Sequence, residues 1–199
     1  MDNLILIDRD KIQIVSGGNI LSLGLAQTMV RDLEVVNKEL LMNEISGFLQ
    51  KNEIVMGKTL VLLSESVCFI SEKANFIQDF TATLPFENPA AIEFDGKYVG
   101  TNRDLYDIVI SAIGKKGAMI KGVSPLFLAK EMLGKRDLTP DVIDLVNANE
   151  AAYTKGSFNF NIPPSPPAVI ETKAKNNKVT LILVSVFAVL LVILLVMVL

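Results

Sequence analysis

Two carboxylates two positions apart, Asp8 and Asp10, and the triplet Ser64-Glu65-Ser66 are the groupings in this 199-residue chain that invite chemistry. With Glu93 or Asp95, the two aspartates offer the oxygen ligands a divalent cation takes. The serines offer a nucleophile. Each reading lacks a necessary companion. The sequence holds no histidine, which closes the Ser-His and Cys-His arrangements and disfavours a catalytic zinc. A lysine base remains, but Lys58 stands at the far end of the apolar run that Ser64 terminates. Asp8 and Asp10 flank a short break between two apolar runs, where acids serve as solvent-facing turn formers. Gly17-Gly18 also lies between two alternating stretches and reads as a hairpin turn needing positive φ, not as a phosphate cradle. Cys68, between Val67 and Phe69, reads as a small buried hydrophobe with an unreactive thiol. Lys115-Lys116 complements the dipole at a helix end. No catalytic, cofactor-binding or metal-binding residue emerges, and the expectation is a protein that is not an enzyme.

Composition narrows the partners. Net charge is −3, with no strongly basic stretch ahead of residue 170, which argues against nucleic acid. A single cysteine allows neither an internal disulfide nor a thiolate metal cluster, consistent with a reducing compartment.

The elements that would position these residues follow from periodicity. Leu4–Ile7, Lys11–Val15 and Ile20–Leu23 are short runs separated by turn residues, a β-meander. From Asn37 the period lengthens: Leu41, Ile45, Phe48 and Leu49 lie on one helical face. Thr59–Leu63 is a continuous apolar run suited to a buried central strand, and Val67–Ile70 reads as another. A short helix is expected over Asn75–Thr83, with Phe76, Phe80 and Phe86 clustered about it, serving core packing or a partner groove. Ala91–Phe94 and Lys97–Val99 flank a tight Asp95-Gly96 turn. Thr101-Asn102-Arg103-Asp104 matches a capping pattern opening a helix over Leu105–Ile113. Met119–Val123 reads as a strand, Leu126–Leu133 as a short helix, and Pro140–Asn149 as a helix capped by Thr139 with proline in its first turn. The fold class expected is α/β, a mixed sheet with an opening meander and flanking helices, over residues 1–150.

This order of elements resembles the first subdomain of actin-like folds, the ribonuclease H-like arrangement. Its details are similar to the PilM-type actin-like assembly proteins of type IV pilus machines and to the cytoplasmic part of the type II secretion L protein. Leu4-Ile5-Leu6-Ile7-Asp8 followed by Lys11-Ile12-Gln13-Ile14-Val15 resembles that family's opening hairpin, in which an aspartate ends the first strand. Thr59–Ser64 resembles the strand after its first helix. Tyr98–Tyr106, then Gly117 and Gly122-Val123-Ser124-Pro125, resemble its later strand, helix and strand. The resemblance covers roughly residues 3–134 and would imply an ATP-binding cleft. The first phosphate loop departs from it, because Arg9-Asp10-Lys11 stand where glycine and small hydroxyl residues let backbone N–H groups approach phosphate. The second phosphate loop and the adenosine segment belong to the other half of such folds, and here a proline-rich stretch follows instead. The expectation is that this chain alone neither binds nor hydrolyses ATP.

Residues 151–178 read as a linker. Pro163, Pro164, Pro166 and Pro167 form a polyproline-II spacer, or a ligand for an aromatic-lined groove. Val179 to Leu199 carry no charge, glycine or proline and would span ~30 Å as a helix, about one bilayer core. Lys173, Lys175 and Lys178 precede this run and favour a cytoplasmic position for the domain. The reading is therefore a single-pass membrane protein with its N-terminal domain in the cytoplasm. Its partners would be the lipid bilayer and proteins of a pilus-like or secretion-like assembly, for which it would be a non-enzymatic scaffold. Two alternatives stay open: half of a split actin-like ATP-binding protein completed by a partner chain, and a tail-anchored adaptor recruiting a proline-motif-binding domain.

Overall fold

The computed structural model describes residues 2–72 and 76–160. Strands β1 (Asn3–Ile7), β2 (Lys11–Ser16) and β3 (Asn19–Gly24) form the expected antiparallel meander. Gly17 and Gly18, at φ +57° and +82°, make the two-residue turn that joins the last two, a conformation matched to the strand twist and cheap only for residues tolerating positive φ. A minimal hairpin, β4 (Val30–Arg31) and β5 (Glu34–Val35), leads into helix α1 (Lys38–Lys51). Asn37 caps α1 by accepting the Leu40 N–H at 2.9 Å, and Leu41, Ile45 and Leu49 bury its inner face.

The crossover through α1 delivers β6 (Lys58–Leu63) parallel to β1. A smaller antiparallel sheet then intervenes: β7 (Phe69–Glu72), helix α2 (Ile77–Thr83), β8 (Pro89–Phe94) and β9 (Lys97–Asn102), with β9 in the middle. Helix α3 (Arg103–Gly114) returns the chain to β10 (Met119–Pro125), parallel to β6. Single 3-10 turns over Leu126–Leu128 and Lys130–Met132 precede α4 (Pro140–Ala148) and α5 (Glu150–Lys155).

The main sheet is mixed, with spatial order β10-β6-β1-β2-β3. Its central strands β1 and β6 are buried on both faces, which is why they read as unbroken apolar runs. Ile5, Ile7, Ile12, Ile14, Val61 and Leu63 pack under α1 and α3. Leu4, Leu6, Val15, Leu60 and Leu62 pack on the opposite side with Val142, Val146 and Tyr153 from α4 and α5.

Four expectations change. Val67 ends a 3-10 turn (Glu65–Val67) and the strand begins only at Phe69, because the chain must leave the main sheet after Leu63 to join the smaller one. The segment Leu126–Leu133 is two 3-10 turns, not one helix: Phe127 joins one core while Leu126, Leu128 and Met132 join the other. Helix α3 is capped by Asn102, whose side chain accepts the Asp104 N–H at 2.9 Å. Thr101 is still in β9 and spends its hydroxyl on the Val67 carbonyl at 2.7 Å. Finally, the folded part continues past residue 150. Tyr153 and Phe158 are fully buried, and the Phe158 N–H donates to the Val123 carbonyl at 2.7 Å.

Pro163, Pro164, Pro166, Pro167, Lys173, Lys175, Lys178 and the run Val179–Leu199 lie outside the described residues. Among the described residues no helix is long and apolar enough to cross a membrane.

Candidate functional site

Three strands of the main sheet, β1, β6 and β10, run parallel, so their carboxyl ends share one edge. From β1 the chain turns outward to β2, whereas from β6 it proceeds the other way to β10. The β1–β6 seam is therefore a topological switch point, where open α/β sheets leave a crevice for ligands. Asp8 follows β1 at this seam and Ser64 follows β6.

Asp8 is 5% exposed, which corrects the expectation of a solvent-facing turn former. Only Asp10 is exposed as expected. Ser64 Oγ donates to Asp8 Oδ1 at 2.5 Å, and Ser66 Oγ donates to the same oxygen. The two hydroxyls lie 2.7 Å apart, and the Ser64 N–H bonds the Ile7 carbonyl at 3.0 Å. Burial works against the charged form of Asp8. The hydroxyls of Ser64 and Ser66, the Arg9 backbone N–H and the charge of Lys11 outweigh it and hold the carboxyl below its usual range. This pairing follows from the parallel register, which sets Ile7 opposite Leu63 and so brings the next residue of each strand together.

The neighbouring charges are committed elsewhere. Lys11 Nζ meets Asp137 at 2.5 Å and Arg9 meets Asp32 at 3.6 Å. Glu65 accepts the Gly134 N–H at 3.1 Å. A carboxylate held this acidic is a poor base for Ser64, and Ser64 itself is fully buried. Phosphate would meet a fixed negative charge whose nearby hydroxyl donors already point at it. The arrangement holds the ends of β1 and β6 together.

The other candidate residues disperse. Lys58 opens β6, a strand's length from Ser64. Glu93 and Asp95 belong to the smaller sheet and its turn, and among the described residues no three acidic, histidine or cysteine side chains come close enough to hold a metal. Cys68 is partly buried, and burial, with the charge of Glu65, pushes its thiol far up. Of the aromatics, Phe86 packs edge-on against Phe69 with ring centres 5.5 Å apart, and Phe80 stacks on Tyr98 at 5.7 Å. Phe76 is exposed.

A second feature was not signalled by any sequence motif. An apolar cleft of about 320 Å³ opens between the smaller sheet and the segment after β10, lined by Ile70, Phe94, Lys97, Val99, Phe127 and Leu133. Leu133 is 63% exposed and Ile70 39%, so two large aliphatic side chains face water at its rim. It offers apolar surface, with the charged residues Asp95 and Lys97 at its border. The larger cavity of about 540 Å³ at the opposite end of β1 is bordered by Asn3, Asn19, Asn52 and Glu53. There the Asn3 amide is consumed by the Val15 and Val55 carbonyls and the Gly57 N–H.

No family model matches the chain, and no curated protein is significantly similar to it.

Proposed function

We propose that this protein is a membrane-anchored, non-enzymatic docking platform whose cytoplasmic domain is built like the first subdomain of actin-like folds. The support for the fold reading is the sheet: an antiparallel meander, then two parallel strands added on the other side of β1 through helical crossovers. The observation that carries the non-enzymatic reading is the closure of Asp8 by Ser64 and Ser66. At the seam where such a sheet would present a nucleotide, the carboxylate is turned into a clamp between strand ends. Docking then falls to the apolar cleft beside Ile70 and Leu133. The anchor is the run Val179–Leu199, with Lys173, Lys175 and Lys178 on its cytoplasmic flank. The proposed setting is a pilus-like or secretion-like assembly.

The test is made on the full chain expressed in bacterial membranes. Resistance to alkaline extraction, with the domain protease-accessible only in inverted vesicles, is the expected result. Release of the intact chain into the soluble fraction contradicts the anchor. One observation favours a second reading, a split actin-like protein completed by another chain: Asp8 stands at a switch point. That reading requires MgATP binding to emerge on adding the completing polypeptide.

A further inference from the structure

The two edges of the main sheet are finished differently. Strand β10 carries Lys121 and Pro125, a register irregularity between Ile120 and Gly122, and a covering segment. The Val123 N–H donates to Ser157 Oγ at 2.8 Å, and the Val123 carbonyl accepts the Phe158 N–H. These are the devices by which sheets prevent edge-to-edge pairing. Strand β3, Asn19-Ile20-Leu21-Ser22-Leu23-Gly24, has none of them. It holds no charge and no proline, its register with β2 is unbroken, and among the described residues no other strand pairs with it.

The turn fixes which backbone groups face outward. A two-residue hairpin loop makes its flanking residues, Ser16 and Asn19, a hydrogen-bonded pair, and alternation then assigns Leu21 and Leu23 to bonds with β2. Ile20, Ser22 and Gly24 direct their N–H and C=O groups away from the sheet.

We propose that β3 pairs antiparallel with β3 of a second copy of this chain, about a two-fold axis at Ser22, so that two main sheets join edge to edge. This register is selected by the strand itself. Opposed residues must share a face, and centring on Ser22 engages about six main-chain hydrogen bonds, against about four when centred on Leu21. On one face it sets Leu21 against Leu23 of the second copy, extending the core under α1 and α3 to which Leu23 already belongs. On the other it lays Ile20, 36% exposed, over Gly24 of the second copy, where a Cβ would meet nothing within 4 Å. The surface is self-complementary, as an isologous contact requires, and it is independent of the cleft and of the Asp8 clamp.

Single cysteine substitutions in the full chain, in mild detergent under a gentle oxidant, test the register. In the paired strands the Ser22 Cα atoms lie ~5.5 Å apart, within disulfide reach, whereas the Ile20 Cα atoms lie ~14 Å apart. Ser22→Cys is expected to give a covalent dimer at least about fivefold more abundant than Ile20→Cys, and the parent chain, with Cys68 alone, none. Ser22→Lys, which sets like charges directly opposite, is expected to weaken association about tenfold or more by sedimentation equilibrium. Equal cross-linking at the two positions, absence of a Ser22→Cys dimer, or a dimer insensitive to Ser22→Lys would each overturn the proposal.

Discussion

Ser64 donates its hydroxyl to Asp8 across 2.5 Å, and the bond joins the carboxyl ends of two parallel strands from residues 56 positions apart in sequence. At the seam where a sheet of this topology leaves a crevice, two serine side chains are bonded to the Asp8 carboxylate. The consequence is chemical as well as mechanical. A carboxylate held ionised by hydroxyl donors repels an anion.

Acid is expected to weaken the fold through Asp8. Its folded pKa lies below the unfolded value, so its stabilisation is fully present above about pH 4 and is lost as pH falls through the lowered folded value. Replacing both hydroxyls, Ser64→Ala with Ser66→Ala, removes two of the interactions that lower this pKa and leaves only the Arg9 N–H and the Lys11 charge against burial, so the acid dependence should flatten. The double variant should be destabilised by about 1–3 kcal/mol near neutrality, with the gap to the parent narrowing as pH falls below about 4. Urea unfolding at two pH values measures both effects. A double variant that follows the parent at every pH would contradict the clamp.

Tyr153 tests where the domain ends. Its ring is fully buried and its hydroxyl donates to the Leu126 carbonyl at 2.7 Å, with burial pushing the phenol up to about 12. Tyr153→Phe is expected to cost about 1 kcal/mol by loss of one hydrogen bond. Tyr153→Ala should cost about 3–5 kcal/mol by the cavity it leaves. Both are read from chemical unfolding. A negligible effect of Tyr153→Ala would return residues 151–160 to the linker.

The cleft should bind an apolar probe. Anilinonaphthalene sulfonate fluorescence is expected to rise with the native chain. It should drop about fivefold or more in Leu133→Asp, while the unfolding free energy changes by less than about 1 kcal/mol, because that side chain is already largely hydrated. Unchanged dye binding would remove the cleft as a docking surface.

Much of this architecture was legible from residue order. The meander, α1, the buried β6, the Asp95-Gly96 hairpin and the Thr139-capped α4 all announced themselves through period and punctuation, because local chemistry and tertiary demand agree there. Where they disagree the reading slipped. Leu126, Phe127 and Leu128 look helical, yet they must feed two cores on opposite sides of one sheet. Glu150–Lys155 resembles the opening of a linker because its apolar content is one tyrosine and two alanines, and only the burial of that tyrosine by β10 and α4 makes it part of the domain. The Asp8 site was half visible. Asp8 and the two serines were conspicuous, but their meeting depends on parallel pairing between β1 and β6, a long-range fact that no window of sequence contains. The cleft was hidden for the same reason: Ile70 and Leu133 touch the same cavity from distant segments, each an ordinary aliphatic residue alone.

Nucleotide binding by the full chain tests the central claim most directly. With a fluorescent ATP analogue and magnesium, titrated to millimolar concentration, the clamp account expects no saturable signal and no phosphate release. It expects the same blank result from Asp8→Asn. Saturable, magnesium-dependent binding by the parent chain that Asp8→Asn abolishes would contradict it.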